Sequence, residues 1–160
     1  MNSALRQRRF VHVVLRLERA DVTDAGILAG MNRQMIEDEG YEGRLSLPKL
    51  KARMKDWLGS GEYEAVFFMG EDHSRIGYAL YQKREDALFF AKRQVYLRHF
   101  FIARDRRRKG IGTQAFEALK EHWNGVHRVD LHVLIKNKRG VGFWRSLGFK
   151  EYQFGMELEL

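Results

Sequence analysis

From Arg106 to Thr113 the chain reads Arg-Arg-Arg-Lys-Gly-Ile-Gly-Thr, and these residue types can cradle phosphate. The segment separates a strand-like run from the start of an amphipathic pattern, where the first amides of a helix have no carbonyl four residues back. Gly110 and Gly112 remove side chains that would obstruct a ligand, the helix dipole favours negative charge, and flanking Arg and Lys add Coulomb attraction. Such a device suits a pyrophosphate. The surrounding charge agrees: eight basic residues lie between Lys92 and Gly110 against one acid, Asp105, in a chain of formal net charge +8. A polyanion of this kind could be nucleic acid, an anionic membrane surface or a small ligand with several phosphates, and a solvated basic loop has the same composition.

Two known phosphate motifs fit poorly. A Walker loop requires Gly-Lys-Ser/Thr, which is absent. Gly110, Gly112 and Ala115 satisfy the permissive dinucleotide fingerprint, with Asp130 at a suitable distance for a ribose. There, however, the first glycine follows its strand almost directly, whereas here a basic loop intervenes, and too little chain remains for a doubly wound sheet.

A third pattern accounts for more residues. Arg107-x-x-Gly110-x-Gly112 after a strand resembles the acyl-CoA signature of the GNAT superfamily of N-acetyltransferases. Asn137-x-x-Gly140-x-x-Phe143-Trp144-x-x-Leu147-Gly148-Phe149 resembles that superfamily's later block, in register with the first. The resemblance implies an α/β, single-domain GNAT-like fold spanning residues 1–160: a mixed, mostly antiparallel central sheet with splayed strands four and five, flanked by helices. It also implies acetyl transfer from acetyl-CoA to an amine by direct attack in a ternary complex. Cofactor contacts would come from the loop Arg107, Arg108, Lys109, Gly110, Ile111, Gly112 and Thr113, from the backbone near Phe101 and Ile102, and from Asn137, Gly140, Phe143 and Trp144. Asn137 would also cap the helix that follows it.

The remaining chemistry is consistent with direct attack. The chain has no cysteine, no G-x-S-x-G elbow and no H-E-x-x-H motif among its six scattered histidines, so a covalent acyl-enzyme and a metal site are not expected. A lysine-like amine, with a pKa near ~10.4, must lose a proton before it attacks. Strand parity, carried over from the superfamily, turns Tyr96 and Arg98 toward the site and His99 away, unless a bulge shifts it. Glu37, Asp38 and Glu39 end the first helix, where their charge opposes the dipole, and could attract a cationic amine; Glu39 is the expected catalytic carboxylate. Many relatives have a tyrosine acid where this chain has Trp144, whose indole donates a hydrogen bond but delivers no proton; Tyr96 or water could substitute.

These groups need a scaffold that the hydrophobic pattern supplies. Phe10–Leu17 predicts a strand, followed by a helix capped at Asp21 or Thr23 that carries Ile27, Leu28, Met31, Met35 and Ile36, while Asn32, one or two turns before the acids Glu37–Glu39, could share their face. Ser46 and Pro48 start a second helix bearing Leu50, Met54, Trp57 and Leu58. Tyr63–Met69 and Ile76–Gln82 read as a hairpin, and a weaker pattern continues to Ala91. Val95–Ile102 is a strand, and a helix runs from Ile111 through Trp123. Val129–Ile135 predicts a strand, Lys138–Leu147 a helix and Phe149–Leu160 a final extended segment. With 160 residues, 44% hydrophobic and one proline, the chain suits one compact domain that needs no disulfide. The apolar run VHVVLRL is too short and too charged for a signal peptide, so the protein is expected to be soluble and cytoplasmic.

The expected partner is a small-molecule or peptide amine. Nucleic acid is not expected, because aromatics interleave with the basic residues only loosely, nor is a membrane, because no apolar run is long enough to span one. The oligomeric state stays open, a homodimer included. The alternative function is a noncatalytic acyl-CoA-binding or sensing module.

Overall fold

The computed structural model describes residues 15–41, 45–85 and 92–160. They form two compact units that divide after Asp130. The first holds β1 (Arg16–Ala20), a 3₁₀ turn (Val22–Asp24), α1 (Ala25–Asp38), α2 (Leu47–Gly59), β2 (Glu64–Met69) and β3 (Arg75–Glu85). These are followed by β4 (Arg93–Ile102), a second 3₁₀ turn (Arg104–Arg106), α3 (Ile111–His122) and β5 (Val126–Leu131). The second unit holds α4 (Lys138–Ser146). The strands lie in the order β1-β2-β3-β4-β5. The first four are antiparallel to their neighbours, and β5 runs parallel to β4.

Local chemistry explains the boundaries. The Asp21 carboxylate accepts from the Thr23 amide at 2.7 Å, while the Asp24 carboxylate accepts from the Asp21 amide at 3.0 Å, a reciprocal capping box that starts the helical segment. Ser46 is extended ahead of α2, with Pro48 in the first turn, where a missing N–H costs nothing. The first strand ends three residues later than predicted, the ladder to β2 running over Arg16–Ala20, while Phe10–Val14 lies outside the described residues. The stretch reaching Ala91 also lies outside them. β5 begins three residues earlier than predicted, because Gly125 at φ 80 turns the end of α3 straight into the strand and the Val126 amide reaches the Trp123 carbonyl at 3.0 Å. The segment after Phe149 joins no ladder, so the last predicted extended run is not a strand of this sheet.

Sheet parity divides the core into two layers. On one face Ala65, Phe67, Tyr78, Leu80, Tyr96 and Phe101 pack with Leu28 of α1 and Met54 of α2. On the other, Tyr81 meets Trp123 at 5.0 Å and α3 inserts Phe116 and Leu119. Burying these large apolar side chains supplies roughly 1.5–3 kcal/mol each. Gly77 lets β3 and β4 close: a Cβ there would stand 2.1 Å from the Phe101 carbonyl oxygen.

Candidate active site

β4 contains the decisive irregularity. Leu80 pairs with His99 and Tyr81 with Leu97, so Arg98 is an extra residue with no partner on β3. The bulge resets the alternation of side chains. Tyr96, opposite Gln82, and His99, opposite Leu80, therefore face the same α1–α2 side, joined there by Arg98. The expectation that His99 faces away holds only for a regular strand, and this strand is not regular.

His99 is 7% exposed, and its Nδ1 lies 3.0 Å from the Tyr78 hydroxyl. Its ring stands edge-on to Trp57 of α2, with centroids 5.9 Å apart. Burial, reinforced by the positive charges of Arg53 and Arg98, pushes its pKa down to about 3, so the imidazole is neutral at neutral pH. Burial also raises the Tyr78 and Tyr96 phenols above their ordinary value, so both keep their protons. Tyr96 carries the Arg84 guanidinium over its ring at 4.4 Å.

Two arginines frame this cluster. The Arg53 and Arg98 guanidinium carbons each lie 4.7 Å from the Trp57 ring centre. Arg98 donates to the Tyr63 hydroxyl at 3.3 Å, and Arg53 donates to the Asn32 side-chain oxygen at 2.9 Å. Among the described residues, neither has a carboxylate within ion-pair distance. Arg53, Tyr63 and Tyr78 were not identified from sequence as site residues. For Arg53 a signal existed, since it interrupts the stripe Leu50, Met54, Trp57 at an inward-facing helical position, as Asn32 does between Leu28 and Met35.

The three acids at the end of α1 have different surroundings. Glu37 and Asp38 bind Arg104 at 3.2 and 2.9 Å, and Asp38 also binds Arg107 at 2.7 Å. They anchor the basic loop. Glu39, at the C-cap of α1, acts instead on Tyr78, where its charge adds to the rise of the phenol pKa.

Past β4 the loop is held by ion pairs. Arg104 and Arg107 are tied to α1, and Arg106 reaches Asp72 of the β2–β3 turn at 3.2 Å. Arg107 also donates to the Ile102 carbonyl at 2.7 Å, fixing the loop to the end of β4. Arg108 adopts φ 64 and Gly110 φ 75, two left-handed residues that turn the chain into α3. Ile111, Gly112 and Thr113 form the first turn of that helix, whose amides have no carbonyl four residues back. Among the described residues, Arg108 and Lys109 meet no carboxylate, so their charge is available to a ligand. Phe101 and Ile102, buried at the end of β4, lead into the loop. β4 touches β5 near its beginning, where the His127 ring meets the Arg93 carbonyl, and contacts β5 far less than it contacts β3.

A glycine-turned helix N-terminus beyond the fourth strand is the arrangement the sequence blocks imply, and the profile of the Acetyltransferase (GNAT) family matches residues 32–149. The chain belongs to this family. Solved structures agree on the fold. A variant of the BH1408 protein from Bacillus halodurans is 25% identical with a TM-score of 0.72, covering 91% of this chain and 99% of that one. A predicted acetyltransferase with acetyl-CoA from Clostridium acetobutylicum is 18% identical with a TM-score of 0.71, covering 91% and 96%. An aminoglycoside acetyltransferase from an uncultured soil metagenomic sample, in complex with sisomicin, is 16% identical with a TM-score of 0.72, covering 92% and 97%. Among curated proteins, none matches by sequence.

The second unit carries the other family block. Asn137 caps α4, its side-chain oxygen accepting from the Gly140 amide at 2.9 Å. A Cβ at Gly140 would stand 2.7 Å from the Asn137 amide nitrogen, so this cap requires glycine. Trp144 lies between Phe143 and Phe149, with centroids at 4.9 and 5.2 Å. Among the described residues, no cluster of His, Cys, Asp and Glu could hold a metal, and no helix is long and apolar enough to cross a membrane.

Proposed function

We propose that this GNAT acetyltransferase moves an acetyl group from acetyl-CoA to a primary amine by direct attack in a ternary complex. The loop between β4 and α3 carries the reading: left-handed Arg108 and Gly110 turn the chain into α3, whose first amides have no side-chain cap, beside two cations unpaired among the described residues. Those features fit the phosphates of CoA. The side chains of Arg108 and Lys109 add charge, while Arg107 holds the loop in place through Ile102 and Asp38. The backbone at Phe101 and Ile102 receives the pantetheine arm where β4 departs from β5.

When bound, acetyl-CoA supplies a thioester: the amine forms a C–N bond to the acetyl carbon, the C–S bond breaks, and CoA leaves as a thiolate while the nitrogen loses a proton. Glu39 takes that proton, directly or through water: its charge is felt at the Tyr78 phenol, and His99 is too weak a base for the task. Tyr96 keeps its proton at neutral pH and returns one to the thiolate. A thiolate of pKa near ~8.5 needs only modest help, so Trp144 in place of a tyrosine is compatible with turnover.

Calorimetric titration tests the assignment. Gly110→Glu puts a carboxylate at the phosphate site, yet a Cβ there meets nothing within 4 Å. The strain of a left-handed non-glycine residue is only about 1–2 kcal/mol. The variant should stay folded and lose acetyl-CoA binding. Unchanged affinity in a folded variant would refute the site.

A further inference from the structure

On the α1–α2 side of β4, Arg53 and Arg98 have no carboxylate within ion-pair distance among the described residues. Arg53 and Arg98 share the Trp57 ring, and the nearby acids Glu37 and Asp38 are engaged with the basic loop. The donors there exceed the acceptors. Asn32, 1% exposed, uses its oxygen on Arg53 and turns its amide toward the Tyr78 phenol, while the Arg53 Nε is buried and finds no acceptor among the described residues. A half-buried guanidinium with no anion and an unsatisfied Nε is costly, and an anionic group would relieve that cost. His99, neutral and flanked by the same two arginines, adds no negative charge.

Resting on the acetyltransferase reading, we propose that the acceptor amine carries an anionic group, carboxylate or phosphate, held by Arg53 and Arg98 beside Trp57 and Tyr63. Arg98 belongs to the exposed bulge residue and is open to a ligand, and its planar fork suits an oxyanion. Arg53 is oriented by Asn32, and the Trp57 ring carries both guanidiniums. Such an acceptor would present its anion to the arginines and its amine to Glu39. A polycationic acceptor would meet two like charges instead, so a polyamine is the wrong class of substrate here.

Matched pairs that differ only in the anion test this: phenylalanine against phenethylamine, phosphoethanolamine against ethanolamine, with spermidine as the polycation. Thiol release is followed on the full chain and on Arg98→Gln and Arg98→Lys, and acetyl-CoA binding is measured separately by calorimetry. One anionic member should exceed its partner in kcat/KM by about ten- to a hundredfold, mainly through KM, as a charge-assisted hydrogen bond gives. The pair that responds tells carboxylate from phosphate. In Arg98→Gln that ratio should collapse with acetyl-CoA affinity unchanged, and Arg98→Lys should restore part of it. Equal or better use of the plain amines or spermidine, a ratio that survives Arg98→Gln, or bound acetyl-CoA with no turnover on any anionic amine would overturn the inference. Failure to bind acetyl-CoA would overturn the acetyltransferase reading itself.

Discussion

Replacing His99 by Gln should flatten part of the acid sensitivity of folding. The imidazole has an ordinary pKa near 6.5 in the unfolded chain and about 3 in the folded one, because burial and two arginines disfavour its charged form. Between those values the unfolded state binds a proton that the native state does not. Stability therefore rises with pH through this window, is complete above about pH 6.5, and falls as the medium becomes more acidic. The slope approaches ~1.4 kcal/mol per pH unit, so moving from pH 7 to pH 5 should cost about 2 kcal/mol through this residue alone. Glutamine can still hydrogen-bond the Tyr78 hydroxyl but cannot titrate. Urea unfolding of both proteins at the two pH values gives the comparison, with the other titrating groups common to both. Wild type should lose about 2 kcal/mol more than His99→Gln. Equal losses would show that His99 is not held neutral by its surroundings, and the account of the bulge would fall with it.

Gly77→Ala should destabilise the protein by several kcal/mol, about 3 or more, since its Cβ would lie 2.1 Å from a backbone oxygen of β4 that can move only by parting the two strands; the urea midpoint measures this. With acetyl-CoA saturating, Tyr96→Phe should lower kcat more than Trp144→Phe does, because only the first removes a proton donor. A far larger loss in Trp144→Phe with binding intact would reverse those roles.

What could be read in the sequence was set by local chemistry. Asp21 at a cap, Pro48 in the first turn of α2 and the glycines at 110 and 112 act within a few residues of themselves, and the structure places the corresponding helices where the pattern predicts. The reading failed where distant chain decides. Whether His99 faces the site depends on a bulge in the pairing of β4 with β3, and no local alternation records one. Likewise, Glu37 and Asp38 resemble a lure for a cationic amine until Arg104 and Arg107, far along the chain, occupy them. Arg53 and Asn32 lay between: polar residues inside apolar helical stripes are visible in sequence, but their purpose emerges only when α1, α2 and the bulge are brought together.

The central claim is chemical transfer, and amine-dependent thiol release from acetyl-CoA tests it most directly. With the acceptor varied over the matched pairs and polyamine above, release should require both protein and amine. It should decline at low pH as the acceptor becomes protonated, and should disappear in Gly110→Glu. Tight binding of acetyl-CoA with no release from any amine would contradict the account and leave a noncatalytic acyl-CoA-binding module in its place.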